Sequence, residues 1–314
     1  MIAPTPHDRV AGGLVGLLVG DALGVPYEFH APDAIPPSAL IDFEPPAGFD
    51  RSHRGVPPAT WSDDGAQALC LLASLLDRGR LDADDLARRL VRWYDEGYLA
   101  VDGIVFDVGI ATGTALRALR SGRAADDGAP ADAHGNGNGS LMRALPLALW
   151  HRGSDESLVH DAHLQSRVTH AHMRSQVCCA LYCLWARRIL QEDADAWRSA
   201  VATLRAIYAT TPDATEELEW SIRPDEEHPG TGSGYVVDSL RSARMVQRET
   251  TYEAIVRAAV ALGRDTDTTA CIAGGIAGLR FGLEAIPTRW RDALRGTDIV
   301  APLLDRLLNA VATR

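Results

Sequence analysis

Helical periodicity is the feature that most constrains the fold of this chain. Apolar residues recur at three- and four-residue spacing in seven segments: 66–78, 84–98, 107–121, 172–190, 194–208, 251–262 and 270–284. Alanine, leucine and arginine, which favour helices, fill these segments. The pairs Val236-Val237 and Ile299-Val300 are too short to indicate a sheet. The pattern therefore predicts an all-α fold, a single domain of many packed helices over residues 1–314.

Composition and charge exclude several classes of function. The chain has 314 residues, 31 of them basic and 42 acidic, with a net charge of −11. Such an acidic chain is a poor candidate for general nucleic-acid binding or for an anionic membrane surface. The five cysteines show no disulfide pattern, and the first apolar run ends at Asp21, short of the ~20 residues of a membrane span. We expect a cytoplasmic protein with no targeting signal and no membrane partner.

Three irregular stretches interrupt the helical pattern, and each adjoins a polar cluster. Residues 30–60 are rich in proline, residues 121–140 in Gly, Asp and Asn, and residues 210–234 in acidic residues and glycine. Loops of this length inside a folded domain are usually functional or disordered. We therefore expect the chemistry of the protein to lie beside these stretches.

Two acidic clusters each precede a predicted helix. The first is Ser62-Asp63-Asp64 and the second is Asp265-Thr266-Asp267-Thr268. Helix capping accounts for either cluster taken alone. Carboxylate and hydroxyl oxygens are also the ligands that Mg²⁺, Mn²⁺ and Ca²⁺ prefer. If the clusters converge, four aspartates share one site, and they need cations such as a binuclear centre to offset their repulsion.

Three further motifs are weaker on their own. Glu28 lies in the segment Gly20–Phe29 and is either a surface glutamate or a carboxylate with a pKa raised for acid/base use. The glycine-rich loop Gly135–Arg143 is either a flexible loop or a phosphate cradle. His170 lies near Cys178, Cys179 and Cys183, but the spacing is irregular for zinc. A histidine that stacks on a base or donates to phosphate remains open.

Taken in order, these motifs resemble the ADP-ribosylglycohydrolase family. The matching segments span nearly the whole chain: Gly20–Phe29, Trp61–Asp64, Asp107–Leu116, Gly137–Pro146, Thr169–His172, Gly232–Ser242 and Asp265–Gly282. The combination is specific, although each segment alone is not. The resemblance implies an orthogonal all-α bundle with a binuclear Mg²⁺ or Mn²⁺ centre.

The resemblance also implies a role for each matching residue. The implied metal ligands are Ser62, Asp63, Asp64, Asp265, Asp267 and Thr268. The implied catalytic residues are Glu28, Asp63, Asp64 and Asp107. The implied substrate-binding residues are Gly137, Asn138, Gly139 and Ser140, which would cradle a diphosphate, and His170. Arg264 departs from the family, which commonly has Asp or Asn there, and a cation at this position could weaken metal binding or pair with an aspartate.

The resemblance implies a hydrolase that removes ADP-ribose from modified protein side chains, with arginine as the expected acceptor. We interpret the carboxylates Glu216, Glu217, Glu219, Asp225, Glu226 and Glu227 either as a solvated face or as an acidic rim for the leaving guanidinium. The expected partners are an ADP-ribosylated protein, ADP-ribose as product, and an ADP-ribosylating toxin system.

Two alternatives stay open at this point. One is an ADP-ribose-binding or toxin-neutralising immunity protein with little hydrolysis. The other is a hydrolase that acts on another ADP-ribosylated small molecule or on a ribosylated nucleic-acid base.

Overall fold

Fourteen α-helices make up most of the part of the chain that the structure, a computed structural model, describes: residues 3–125, 127, 129 and 135–312. They are α1 (Pro6–Gly24), α2 (Asp63–Arg78), α3 (Ala83–Glu96), α4 (Ile110–Arg120), α5 (Leu145–Trp150), α6 (Asp155–Arg167), α7 (Met173–Leu190), α8 (Ala196–Tyr208), α9 (Pro212–Glu216), α10 (Val236–Val246), α11 (Tyr252–Val260), α12 (Thr266–Phe281), α13 (Thr288–Ala293) and α14 (Thr297–Ala312). A π-helical turn, Glu217–Ile222, continues α9. In these ranges the only β-type pairing is one antiparallel bridge between Gly137 and Tyr235. The all-α prediction is confirmed.

Each of the seven predicted helical segments overlaps one observed α-helix, with shifted ends. Several further helices were not predicted, because α5 and α13 have only six residues each and α6 is rich in polar residues. The pairs Val236-Val237 and Ile299-Val300 lie in the first turns of α10 and α14. Part of the 121–140 stretch, at residues 126, 128 and 130–134, lies outside the described residues.

Glycines bring α1 and α12 into direct backbone contact, and this contact positions the site. A Cβ added at Gly20 would lie 2.1 Å from the carbonyl oxygen of Ala270, and one at Gly24 would lie 2.4 Å from that of Thr266. The order of these contacts makes the two helices antiparallel. The start of α12 therefore meets the end of α1, where Thr266 Oγ1 donates to the Gly24 carbonyl over 2.8 Å. The small-residue composition of α12 indicates this packing, and the structure contains it.

The first helix does not end at Asp21. It runs to Gly24, and residues Pro6–Tyr27 are long and apolar enough to cross a membrane, with a mean hydropathy of 1.5. The whole of that window is buried inside the fold, as in the core helix of a globular protein. Asp21 is itself fully buried, and its carboxylate accepts hydrogen bonds from the backbone N–H groups of Ser62 and Gly65 at 2.9 and 2.7 Å. A buried carboxylate on α1 thus fixes the start of α2.

Candidate active site

A cavity of about 330 Å³ opens where the ends of α1, α2 and α12 meet. Its acidic and hydroxyl lining consists of Glu28, Asp63, Asp107, Thr112, Asp265 and Thr268. The two acidic clusters that lie some 200 residues apart in the sequence therefore converge, because Thr268 Oγ1 donates to Asp64 Oδ2 over 3.2 Å. Glu28, Asp265 and Asp267 also each bring a carboxylate oxygen to within 4.8 Å of the others.

A second layer of oxygen ligands lies beneath the lining and is buried. Ser62 caps α2 by accepting from the N–H of Asp64, and its hydroxyl lies 3.3 Å from Asp64 Oδ2. The capping interpretation therefore holds for Ser62. Asp64 Oδ1 and Asp267 Oδ2 are buried, and neither has a hydrogen-bond partner in the described structure. Buried carboxylate oxygens without partners are costly, so this set of hard oxygen donors fits a bound divalent cation.

Neutral amides hold the outer carboxylates in place. Asn138 Nδ2 donates to Asp265 Oδ2 over 2.7 Å, and Gln67 Nε2 donates to Asp63 Oδ2 over 2.8 Å. Gln67 in turn accepts from Arg143, whose guanidinium is fully buried. Burial lowers the pKa of Arg143 to about 10, which still leaves it charged at neutral pH. Arg143 therefore acts on Asp63 through Gln67.

Burial raises the pKa of every acid in this cluster, and repulsion from neighbouring acids adds to it for all of them except Asp265. The pKa of Glu28 rises to about 11, through burial and then through the charges of Asp107, Asp265 and Asp64. The pKa of Asp107 rises to about 6, through burial and then Asp265. Burial also raises the pKa values of Asp63, Asp64, Asp265 and Asp267. The cluster cannot be fully ionised at neutral pH without positive charge to offset it.

The glycine-rich loop forms a further part of the cavity wall. Gly137, Asn138 and Gly139 line the cavity, as does His170. A Cβ added at Gly139 would lie 2.9 Å from both His170 Cε1 and Thr112 Oγ1, so only glycine fits between them. The hydroxyl of Ser140 instead faces the buried Ser166 hydroxyl at 2.8 Å, behind the loop.

The glycine-rich end of the 210–234 stretch supports this loop from outside the cavity. The carboxylate of Asp238 accepts from the backbone N–H groups of Thr231 and Ser233 at 2.9 and 2.7 Å. The carbonyl of Gly234 then accepts from the N–H of Asn138 over 3.2 Å. This contact fixes the loop relative to α10.

Burial lowers the pKa of His170 to about 3, with a further contribution from Arg143. The ring is therefore neutral near pH 7, and its Nδ1 lies 2.8 Å from the hydroxyl of Thr169. A neutral His170 can exchange hydrogen bonds with a ligand in the cavity but brings it no positive charge.

Three further features of the sequence lie outside the metal-ligand groupings of the described residues. Five of the six carboxylates considered as an acidic rim pair with arginines; for example, Glu217 lies 2.7 Å from Arg174 and Glu227 lies 3.1 Å from Arg248. The Arg264 guanidinium donates to the carbonyls of Thr231 and Leu262 rather than to an aspartate of the cluster. All five cysteines are buried, and the metal-ligand groupings found among the described residues contain no cysteine.

Three parts of the site were not predicted. Asp21 and the Gln67–Arg143 pair lie inside helical or motif segments, where nothing in the sequence separates a supporting role from core packing. His53 lies in the proline-rich stretch, and its Nε2 is 2.7 Å from Glu28 Oε2. The one sequence signal for this contact is the length of the proline-rich stretch, because long loops in a folded domain often reach a functional site.

Comparison with known proteins relates the whole of this architecture to one family. The family model described as ADP-ribosylglycohydrolase matches residues 3–314. The chain is 29% identical over 306 residues to ADP-ribosylarginine hydrolase Tri1 of Serratia proteamaculans (strain 568), covering 96% of this chain and 79% of the relative. It is 28% identical over 302 residues to the ADP-ribosyl-[dinitrogen reductase] glycohydrolase of Rhodospirillum rubrum, covering 94% and 92%. A solved structure titled "ADP-ribosylglycohydrolase-related protein complex" superposes with a TM-score of 0.78 and 30% identity, covering 97% and 98%.

Proposed function

The chain belongs to the ADP-ribosylglycohydrolase family and is a glycosidic-bond hydrolase that removes ADP-ribose from modified side chains, and on that premise we propose that its acceptor is arginine. The observation that carries the proposal is the convergence of six carboxylates, Glu28, Asp63, Asp64, Asp107, Asp265 and Asp267, at one face of a cavity. A glycine loop lines the same cavity. The acids suit a cationic guanidinium leaving group, and the loop suits a diphosphate.

We propose that the inner oxygens hold two divalent cations, Mg²⁺ or Mn²⁺. The ligands in this proposal are Ser62, Asp63, Asp64, Asp265, Asp267 and Thr268. When bound, such cations would supply positive charge, which lets the carboxylates ionise, and would polarise hydroxyl and water oxygens in the site. The unpartnered oxygens of Asp64 and Asp267 support this assignment.

The outer carboxylates, Glu28 and Asp107, are left to move protons. A water oxygen bonds to the anomeric carbon while the bond from that carbon to the guanidine nitrogen breaks, and the electron pair leaves with the nitrogen. The water proton passes to one of the two carboxylates, because a carboxylate that binds no cation is the stronger base. Asp107 has a left-handed backbone, φ 55°, and its pKa of about 6 suits proton transfer near neutral pH.

In this proposal, the backbone of Gly137, Asn138 and Gly139 and the neutral ring of His170 bind the diphosphate. Gly139 allows the phosphates to approach the backbone closely, since no side chain projects there. The diphosphate then holds the scissile bond over the acids.

Release of ADP-ribose from an arginine-ADP-ribosylated protein tests the proposal. We expect release with Mg²⁺ or Mn²⁺, none with a chelator, and a fall of roughly 100-fold in Asp267→Asn, because one of the charges that organise the site is removed. Glu249→Gln, which changes an exposed carboxylate outside the cavity, is the matched control and should release ADP-ribose at the wild-type rate.

A serine-ADP-ribosylated protein distinguishes the acceptors. Faster release from serine than from arginine would contradict the arginine proposal and leave the hydrolase assignment intact. Tight ADP-ribose binding without release from either protein would favour an ADP-ribose-binding protein.

A further inference from the structure

The proline-rich stretch brings a histidine to the one catalytic candidate that projects from the end of α1. His53 Nε2 lies 2.7 Å from Glu28 Oε2, and the His53 side chain is only 15% exposed. The segment is tied to the same turn, because the Ser52 N–H donates to the Pro26 carbonyl over 3.0 Å and the Ser52 hydroxyl donates to the Glu28 carbonyl. The loop is thus attached to Glu28 through both backbone and side chain.

Two phenyl rings pack against the imidazole at this contact. The ring centroid of His53 lies 5.6 Å from that of Phe29 and 5.0 Å from that of Phe106. Phe29 follows Glu28 directly, and Phe106 precedes Asp107, so the aromatic contacts connect the two outer carboxylates of the site. His53 and Phe29 both have left-handed backbones, with φ of 50° and 63°. Such a conformation costs free energy in a non-glycine residue, and here it keeps the ring against Glu28.

Glu28 lies among other acids as well as beside His53. Asp265 and Asp267 each bring a carboxylate oxygen to within 4.8 Å of Glu28, as does Asp107 in the group that contains His53. When Glu28 is ionised, as the cations of the proposed function allow, like charges at this separation favour any rotamer that moves it away from the cluster. A neutral imidazole with its proton on Nε2 donates to the Glu28 carboxylate and opposes that displacement. Burial, and then Arg51, lower the pKa of His53 and favour this neutral form.

We propose that His53 is a positioning residue that holds the Glu28 carboxylate over the acidic cavity for proton transfer. The inference rests on the role of Glu28 in the proposed function. On this inference, the proline-rich stretch serves to place His53 beside Glu28 and so completes the site.

Two substitutions separate the hydrogen bond from the packing. His53→Phe keeps an aromatic ring between Phe29 and Phe106 but has no N–H, whereas His53→Gln places an amide N–H at about the distance of Nε2. We expect kcat for ADP-ribosylarginine hydrolysis to fall about 10- to 100-fold in His53→Phe, with KM within about twofold of wild type. His53→Gln should recover most of the lost kcat. In a Glu28→Gln background, His53→Phe should cause no further loss, because the carboxylate that it positions is already absent.

The wild type is assayed first, so that failure of the proposed function, seen as no release by wild type, is separate from failure of this inference. With an active wild type, an unchanged kcat in His53→Phe, or an equal loss in His53→Phe and His53→Gln, would overturn the inference. A loss that persists undiminished in the Glu28→Gln background would also overturn it. Titration with Mn²⁺ completes the test: an unchanged number of bound ions in His53→Phe supports positioning, and one fewer ion would make His53 a ligand instead.

Discussion

At the scale of single residues, the site concentrates acids that have few direct cationic partners. Arg143 approaches Asp63 only through Gln67, and Arg264 points to carbonyl oxygens outside the cluster. Burial therefore acts on the carboxylates with little compensation, and it raises their pKa values. The same acids that prepare the site for cations make the cation-free protein sensitive to alkaline conditions.

The cation-free protein should lose stability as pH rises from 7 to 8. Glu28, with a pKa of about 11, keeps a proton in the folded state that the unfolded chain releases above pH ~4, and burial raises the pKa values of Asp63, Asp64 and Asp267 in the same direction. Each such proton costs about 1.4 kcal/mol of unfolding free energy per pH unit. We expect the Tm measured with a chelator to be several degrees lower at pH 8 than at pH 7.

In this pH window the buried carboxylates contribute most of the change. Unfolded histidines are mostly deprotonated at pH ~7, and unfolded thiols, with a pKa of ~8.5, are still mostly protonated at pH ~8. Saturating Mn²⁺ should reduce the difference between the two Tm values, and Asp267→Asn should reduce it in the chelated protein. Equal Tm values at pH 7 and pH 8 with chelator would contradict the raised pKa values.

The sequence could identify both acidic clusters, Ser62–Asp64 and Asp265–Thr268, as candidates, because carboxylates and hydroxyls before a helix form a recognisable pattern. Their convergence could not, since either cluster alone is explained by capping. His53 could not be predicted either, because its position depends on how the proline-rich stretch folds back on Glu28. A contact across 25 residues of irregular backbone has no periodicity to reveal it.

At the scale of elements, the periodicity of apolar residues predicts which segments are helices, and glycines determine where α1 and α12 pack against each other. The composition of α12 indicates close packing, but the partner, α1, and the antiparallel register appear only in the structure. That register decides which chemical groups meet, because it puts Thr266 against Gly24 and brings Asp267 within reach of Glu28. The helix pair is therefore part of the site as well as of the core.

Gly20→Ala should destabilise the protein by roughly 3 kcal/mol, because its Cβ would meet the Ala270 backbone at 2.1 Å and the two helices would have to separate. Gly55→Ala is the matched control, since a Cβ there meets nothing within 4 Å and its backbone is not left-handed. Urea denaturation followed by circular dichroism measures both. Equal midpoints for the two variants would show that α1 and α12 can separate at no cost.

At the scale of the whole molecule, the negative charge falls into two kinds of environment. The acids of the 210–230 stretch lie at the surface beside arginines, as Glu219 and Asp225 do beside Arg205 at 2.7 and 2.6 Å. The acids of the cavity are buried or half-buried among other acids. The field that a cationic acceptor meets in the cavity therefore comes from the second group, since solvent and arginines screen the first.

Substitution of Glu226 and Glu227 tests whether the surface acids contribute to recognition of the acceptor. These residues line a different cavity, beside Trp197, and they pair with Arg223 and Arg248 respectively. The double variant Glu226→Gln/Glu227→Gln should leave KM for ADP-ribosylarginine within about twofold of wild type, because exposed ion pairs contribute only ~0–1 kcal/mol and are screened at physiological salt. The measurement is repeated at low ionic strength, where screening is weakest. A KM that rises about tenfold at low salt and recovers at high salt would show that the acidic stretch attracts the guanidinium from a distance, and it would restore that stretch to the substrate-binding surface.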